Sequence, residues 1–173
     1  MAEEVILVDA QDHALGLMEK MEAHRQGLLH RAFSVFVLNR KGELLLQQRA
    51  AHKYHSGQLW TNTVCSHPRE GEAVEAAAHR RMEEEMGFDC PIEKAFEFTY
   101  RAELDKGMIE HEYDHLFIGQ YNHDPEPNTD EVMDFCWLLP SAVERDLQVH
   151  PERYTAWFKI IFQRFTTTLK QTL

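Results

Sequence analysis

Cysteine is scarce in this chain of 173 residues: Cys65, Cys90 and Cys136 are odd in number and far apart. Such a set does not suit a disulfide framework and points to a reducing compartment, so the protein is expected in the cytoplasm. Positive charge is also short, with 18 Lys and Arg against 29 Asp and Glu and a formal net charge of −11. That balance argues against a nucleic-acid scaffold or a membrane-surface binder, both of which need basic surface. It leaves room for a small anionic substrate, provided local cations line the pocket. Long apolar runs are missing, and the opening MAEEVILVDA is acidic where a secretory leader would be basic. Neither a transmembrane helix nor a signal peptide is expected. No Gly-rich phosphate loop supports a flavin. There is no internal repeat, and the length suits one domain, 1–173, that buries its core without disulfides or structural metal.

What is there reads as a mixed sheet with helices packed on it, an α/β or α+β fold. EEVILVDA has the look of a strand, ended by the turn-forming QDHALG. RAFSVFVLN is apolar and β-branched almost throughout, which suits a strand covered on both faces. RKG then turns the chain into ELLLQQRA, so the two strands look like a hairpin. EAVEAAAHRRMEEEM, residues 72–86, holds neither Gly nor Pro and reads as a helix, with Gly87 placed to stop it. KAFEFTYRAEL and IEHEYDHLFIGQY are strands joined at DKG, and the Pro-rich DPEPNTDE leads to a last strand, VMDFCWLL. Pro140 breaks that strand and a short helix follows from Ser141. A final helix over about 151–170 opens on Pro151 and carries an apolar stripe of Trp157, Ile161 and Phe165, with Phe158 and Phe162 beside it. It is expected to cover the pocket.

Three stretches carry candidate chemistry. In WTNTVCSHPREGE, Cys65 stands two positions before His67. It could be a metal ligand, a nucleophile, a proton carrier or an inert thiol, and C-x-H alone does not decide. In EHE, strand alternation puts Glu110 and Glu112 on one face and His111 on the other. Two such carboxylates repel unless protons or a cation lie between them. With His24, His30 and His67 they would make a mixed N/O site for a divalent metal, although a solvated strand face is the plainer alternative. In the helix, Arg81, Glu84 and Glu85 fall within one arc.

That helix resembles the Nudix box, G-x5-E-x7-R-E-x2-E-E-x-G, at Glu72, Arg80, Glu84, Glu85 and Gly87. Ser66 replaces the first glycine and Arg81 replaces the first glutamate of the metal-binding trio. The exchange swaps a carboxylate for a cation, so the arc would bind fewer metals and offer Arg81 to a phosphate oxygen. LLHRAFSVFVLN, WTNTVCSHP, the degenerate box and EHEYDH together resemble type I isopentenyl-diphosphate isomerase, from about residue 4 to Trp157. The resemblance implies a Nudix fold and an isomerase that interconverts isopentenyl and dimethylallyl diphosphate in isoprenoid biosynthesis, acting as a monomer or dimer on a small-molecule diphosphate. It implies Cys65 and Glu112 as the catalytic pair, with Tyr100 beside the glutamate and Trp157 over the alkenyl group. His24, His30, His67, Glu110 and Glu112 match the ligands of a Zn²⁺, Mn²⁺ or Mg²⁺ ion. Glu85 matches the carboxylate serving a Mg²⁺ that bridges to the diphosphate, and Lys20, Arg49, Lys53 and Arg81 match the diphosphate-contacting cations. The spacing of six from His24 to His30 departs from the seven expected in some members. Two rival readings are a Nudix diphosphohydrolase, against which Arg81 and the Cys65 segment speak, and a non-enzymatic metal- or nucleotide-binding module. The latter would leave Cys65, Glu112 and Tyr100 without a purpose.

Overall fold

The structure, a computed structural model, describes residues 2–172. Its centre is β3 (His30–Leu38), whose apolar run is buried because the strand is covered on both faces. On one face, Phe33, Val35 and Val37 pack with Ala77, Ala78, Met82 and Met86 of the acidic helix. On the other, Phe36 packs with Phe158, Ile161 and Phe165 of the last helix. Burying such side chains contributes roughly 1.5–3 kcal/mol each, so β3 is the seam of both half-cores.

Around it lie β1 (Glu4–Val8), β2 (Ala14–Glu19), β4 (Leu44–Arg49), β5 (Trp60–Thr61), β6 (Val64–Ser66), β7 (Ile92–Glu103), β8 (Ile109–Gln120) and β9 (Val132–Leu138). β3 runs parallel to β8 from His30↔Glu112 to Leu38↔Gln120 and antiparallel to the short β6. β7 and β8 form the expected antiparallel pair around Asp105–Gly107. The mixed sheet is therefore as expected, with two local corrections. QDHALG is only partly a turn, since Ala14 onward forms β2, paired with β1 through Ile6↔Leu17 and Leu7↔Gly16. A ladder partner overrides local turn preference there. β3 and β4 do form the expected antiparallel hairpin, but it is short: Leu38 pairs with Leu44 and Asn39 N donates to Glu43 O at 3.0 Å, while the length of β4 pairs with β9.

The second correction concerns the last helix, α4, which spans Ala156–Thr172 and does not start at Pro151. Pro151–Arg153 is a separate 3-10 turn. The chain between them is held extended by Thr155 N donating to Trp60 O (3.0 Å), and Thr155 Oγ1 then caps Phe158 N at 3.2 Å. Pro140 does open α3 (Pro140–Val149) at its first turn. A short helix that sequence reading missed, α1 (Lys20–Gln26), is started by Glu19 accepting from Met21 N and Glu22 N and ended at Gly27.

The acidic helix is α-helical over α2 (Val74–Arg81) and widens into a π-helical turn over Met82–Met86. Its last carbonyls go to the Pro-rich loop: Asn128 N donates to Glu85 O and Glu126 N to Met86 O, both at 2.9 Å. Gly87 ends it with φ +71°, as expected of a left-handed C-terminal cap. Among the described residues no helix is long and apolar enough to cross a membrane.

Candidate active site

The sheet register assembles one side of the site. Tyr100 on β7, Glu112 on β8 and His30 on β3 are successive cross-strand partners, so they form a row. Glu110 lies two residues from Glu112 and shares its face, while His111 turns the other way and bonds Gly27 O at 3.0 Å. His24 reaches the row from α1 rather than from a strand end, and His67 from just beyond β6. All five expected metal ligands are buried. Donor atoms of His24, His30, His67 and Glu110 lie within 4.8 Å of one another. Glu112 Oε2 is 3.3 Å from His30 Nε2 and 3.0 Å from His67 Nε2.

The hydrogen bonds make this a donor set for a cation. His24 Nδ1 meets Lys20 O at 2.7 Å and His30 Nδ1 meets Leu28 O at 2.9 Å. A backbone carbonyl only accepts, so Nδ1 carries the proton in both rings and Nε2 keeps a lone pair. Those two Nε2 atoms are buried without hydrogen-bond partners, although His24 Nε2 lies 3.3 Å from Glu110 Oε2. Lone pairs and carboxylate oxygens converge without alignment, and a positive ion among them would relieve the repulsion. The carboxylates also call for positive charge here: burial alone would lower His24 and His30, yet Glu110 and Glu112 pull both up, and a metal ion at the Nε2 atoms would meet that demand in place of protons. The residues present therefore fit a divalent metal.

Glu112 is held from two sides. Its Oε1 accepts from Tyr100 Oη at 2.6 Å, and its Oε2 faces the imidazoles. Burial would raise this carboxyl, but contacts with Glu110, His30 and Tyr100 outweigh that and hold it below the usual carboxylate range. Cys65, half-buried on β6 opposite Ser34, is held by Asn62. Asn62 Nδ2 donates to Val35 O (3.1 Å) and Val64 O (2.9 Å), which turns Oδ1 towards Cys65 Sγ at 3.0 Å. Ser34 Oγ is 3.6 Å from the sulfur and donates to the buried Asp114 at 2.9 Å. Burial and the Asp114 charge push the Cys65 thiol up, so it stays protonated.

Two adjoining hollows share the Cys65–His67 segment. A tight one of about 30 Å³ is lined by Cys65, Glu112, Glu110, His55, Tyr54 and Trp157. A cleft of about 100 Å³ beside it gathers Lys20, Arg49, Lys53 and Arg81 with Glu3, Glu85 and Glu131. Arg49 lines both, its guanidinium 5.1 Å from the Trp157 ring centre. The expected site residues are thus brought together. The four cations and Glu85 lie in the cleft, and Cys65, Glu112 and Trp157 in the tight hollow. Tyr100 stands behind Glu112, with His24 and His30 at the metal donors. α4 covers this hollow through Trp157, and its remaining stripe packs on the sheet.

Sequence reading missed several residues here. His55 is buried with Nε2 unpartnered, 3.8 Å from Glu110 Oε2, and burial lowers it to about 3. Among eleven histidines nothing marked it out. Asn62, Ser34 and Asp114 lay inside the quoted motifs without an assigned task, and Glu3 and Glu131 lay outside them.

Comparison with known proteins gives the chain a family. The NUDIX domain family matches residues 28–158. Isopentenyl-diphosphate Delta-isomerase 2 of Photorhabdus laumondii is 53% identical over 161 residues, covering 93% of this chain and 91% of that protein. The chain belongs to the isopentenyl-diphosphate Delta-isomerase family. The isomerase of Pectobacterium atrosepticum is 48% identical over 93% of this chain and 90% of its own length. Solved structures at lower identity share the fold. A Deinococcus radiodurans protein has TM-score 0.80 at 18% identity, covering 94% of this chain and 98% of its own. The MutT protein of Methanosarcina mazei has TM-score 0.66 at 20% identity, covering 82% and 96%. The chain thus has the Nudix fold, with Arg81 in the helix arc.

Proposed function

We propose that this protein interconverts isopentenyl and dimethylallyl diphosphate, adding a proton at one carbon and removing another two carbons away. The observation that carries the reading is the pairing of hollows: Cys65 and Glu112 line a tight space under Trp157, and a cation-rich cleft adjoins it. The diphosphate binds Lys20, Arg49, Lys53 and Arg81, which fixes the chain direction and sends the alkenyl group towards Cys65 and Glu112. An unactivated alkene is a poor base, so the donor must be held close and water kept out.

The Cys65 thiol, kept protonated by burial, can give a proton, and the Glu112 carboxylate can take one. The reverse reaction exchanges these roles. Tyr100 holds Glu112, and Asn62 holds Cys65. Trp157 presents an aromatic face to the tertiary carbocation formed between the two transfers, as it already does to Arg49. His24, His30, His67, Glu110 and Glu112 would hold a divalent ion, Zn²⁺, Mn²⁺ or Mg²⁺, and Glu85 a Mg²⁺ shared with the diphosphate. A cation at the first site would orient Glu112 and shift its acidity. Incubation with isopentenyl diphosphate in D₂O tests the reading. Deuterium should enter the alkene without release of phosphate, and phosphate release without isomerisation would make the protein a hydrolase.

A further inference from the structure

Glu131 belongs to none of the motifs, yet it lines the cation cleft. Its carboxylate bonds Lys53 Nζ, and Oε1 lies 3.6 Å from Arg81 Nη2. The same Arg81 nitrogen is 3.0 Å from Glu85 Oε1, so one positive group sits between two carboxylates. Glu85 Oε2 is buried and has no hydrogen-bond partner. The backbone pins both residues together: Asn128 N donates to Glu85 O, Glu131 N to Asn128 O, and Ala50 N to Glu131 O, at 2.9, 2.9 and 3.0 Å. The Glu131 side chain is only 25% exposed and has little room to swing into solvent.

The charges then make a demand. Lys20 is already paired with Glu3, Lys53 with Glu131, and Arg81 with Glu84, Glu85 and Glu131. A diphosphate that takes Lys53 and Arg81 strips Glu85 and Glu131 of their counter-ions and leaves them facing phosphate oxygens. A hard divalent cation solves this, since Mg²⁺ and Mn²⁺ are commonly bound through one or two carboxylates plus substrate phosphates. We infer that Glu131 joins Glu85 in holding the divalent cation that enters with the diphosphate, exchanging Lys53 and Arg81 for it. The inference rests on the reading of this cleft as the diphosphate site.

Mn²⁺ titrations of the whole protein, followed by electron paramagnetic resonance with and without inorganic diphosphate, test it. The wild type should take up an additional Mn²⁺ when diphosphate is present. Glu131→Gln should weaken that uptake by at least ~10-fold, on the scale of losses from metal-supporting residues, and leave the tightly held metal in place. Glu131→Asp should restore part of it. Glu84→Gln, which also takes a carboxylate from Arg81, should not change it. If Glu131→Gln leaves the added Mn²⁺ unchanged and binds metal-free diphosphate more tightly, Glu131 is only a competing counter-ion and the inference is wrong. If the wild type binds no diphosphate at all, the reading of the cleft fails first, a separate result.

Discussion

Replacing Tyr100 by Phe isolates one hydrogen bond at Glu112, the carboxylate proposed to react. The ring remains and the packing of this buried residue is kept, but the 2.6 Å donation from Oη to Glu112 Oε1 is gone. Glu112 is too buried for water to replace the bond readily. A hydrogen bond to a charged group contributes roughly 1.5–3 kcal/mol, which is about 10 to 150-fold in rate if the bond matters most at the transition state. The loss should fall on kcat rather than KM, because Tyr100 does not line the cation cleft. Metal content should stay at the wild-type level, since the imidazoles meet Glu112 through its other oxygen. Turnover can be read from deuterium incorporation by NMR, with elemental analysis on the same sample. A Tyr100→Phe variant whose kcat stays within about twofold of wild type would refute the claim that this bond holds Glu112 for proton transfer.

Cys65→Ala should fold normally and lose about 10² to 10⁴-fold in kcat, the range typical of a general acid–base group; wild-type turnover in the isomerisation assay would end its assignment. His67→Ala and Glu110→Ala should each lose tightly bound metal, with affinity down by at least ~10-fold. Full occupancy by elemental analysis in both would dissolve the proposed ligand set. Gly87→Ala should lower stability in urea unfolding by more than the ~1–2 kcal/mol of a left-handed residue, because the added Cβ would stand 2.2 Å from Glu126 O. A midpoint shift no larger than that of an ordinary surface change would show that the helix end and its loop yield easily.

How much of this was legible in the sequence differed from element to element. The run at 31–39 announced a doubly covered strand because both of its faces meet helices, and no polar alternation was needed. The Glu110/Glu112 face followed from strand period alone. QDHALG misled because local composition says nothing about the partner strand that straightens Ala14–Gly16. Pro151 misled because proline is permitted at a first helical turn, and the contacts of Tyr154 and Thr155 with Trp60 hold the chain extended until Ala156. His55 and Glu131 were invisible for another reason. Each has its place in the site through a distant neighbour, Glu110 for one and Arg81 for the other.

The C-x-H spacing now has a physical meaning. β6 is three residues long and pairs Cys65 with Ser34, so side chains at 65 and 67 project to the same side. That side faces Glu112: His67 Nε2 is 3.0 Å from its Oε2, and Cys65 shares with it the walls of the tight hollow. Cys65 on β6 and His67 just beyond its end are therefore brought to one side, with the Glu112 carboxylate opposite. The same short segment divides the hollow from the cation cleft, so the ends of a substrate would be read on its two sides. On the function proposed above, the diphosphate end would be the anchor in the cation cleft, and the chemistry would take place at the alkenyl end, in the hollow lined by Cys65, Glu112 and Trp157.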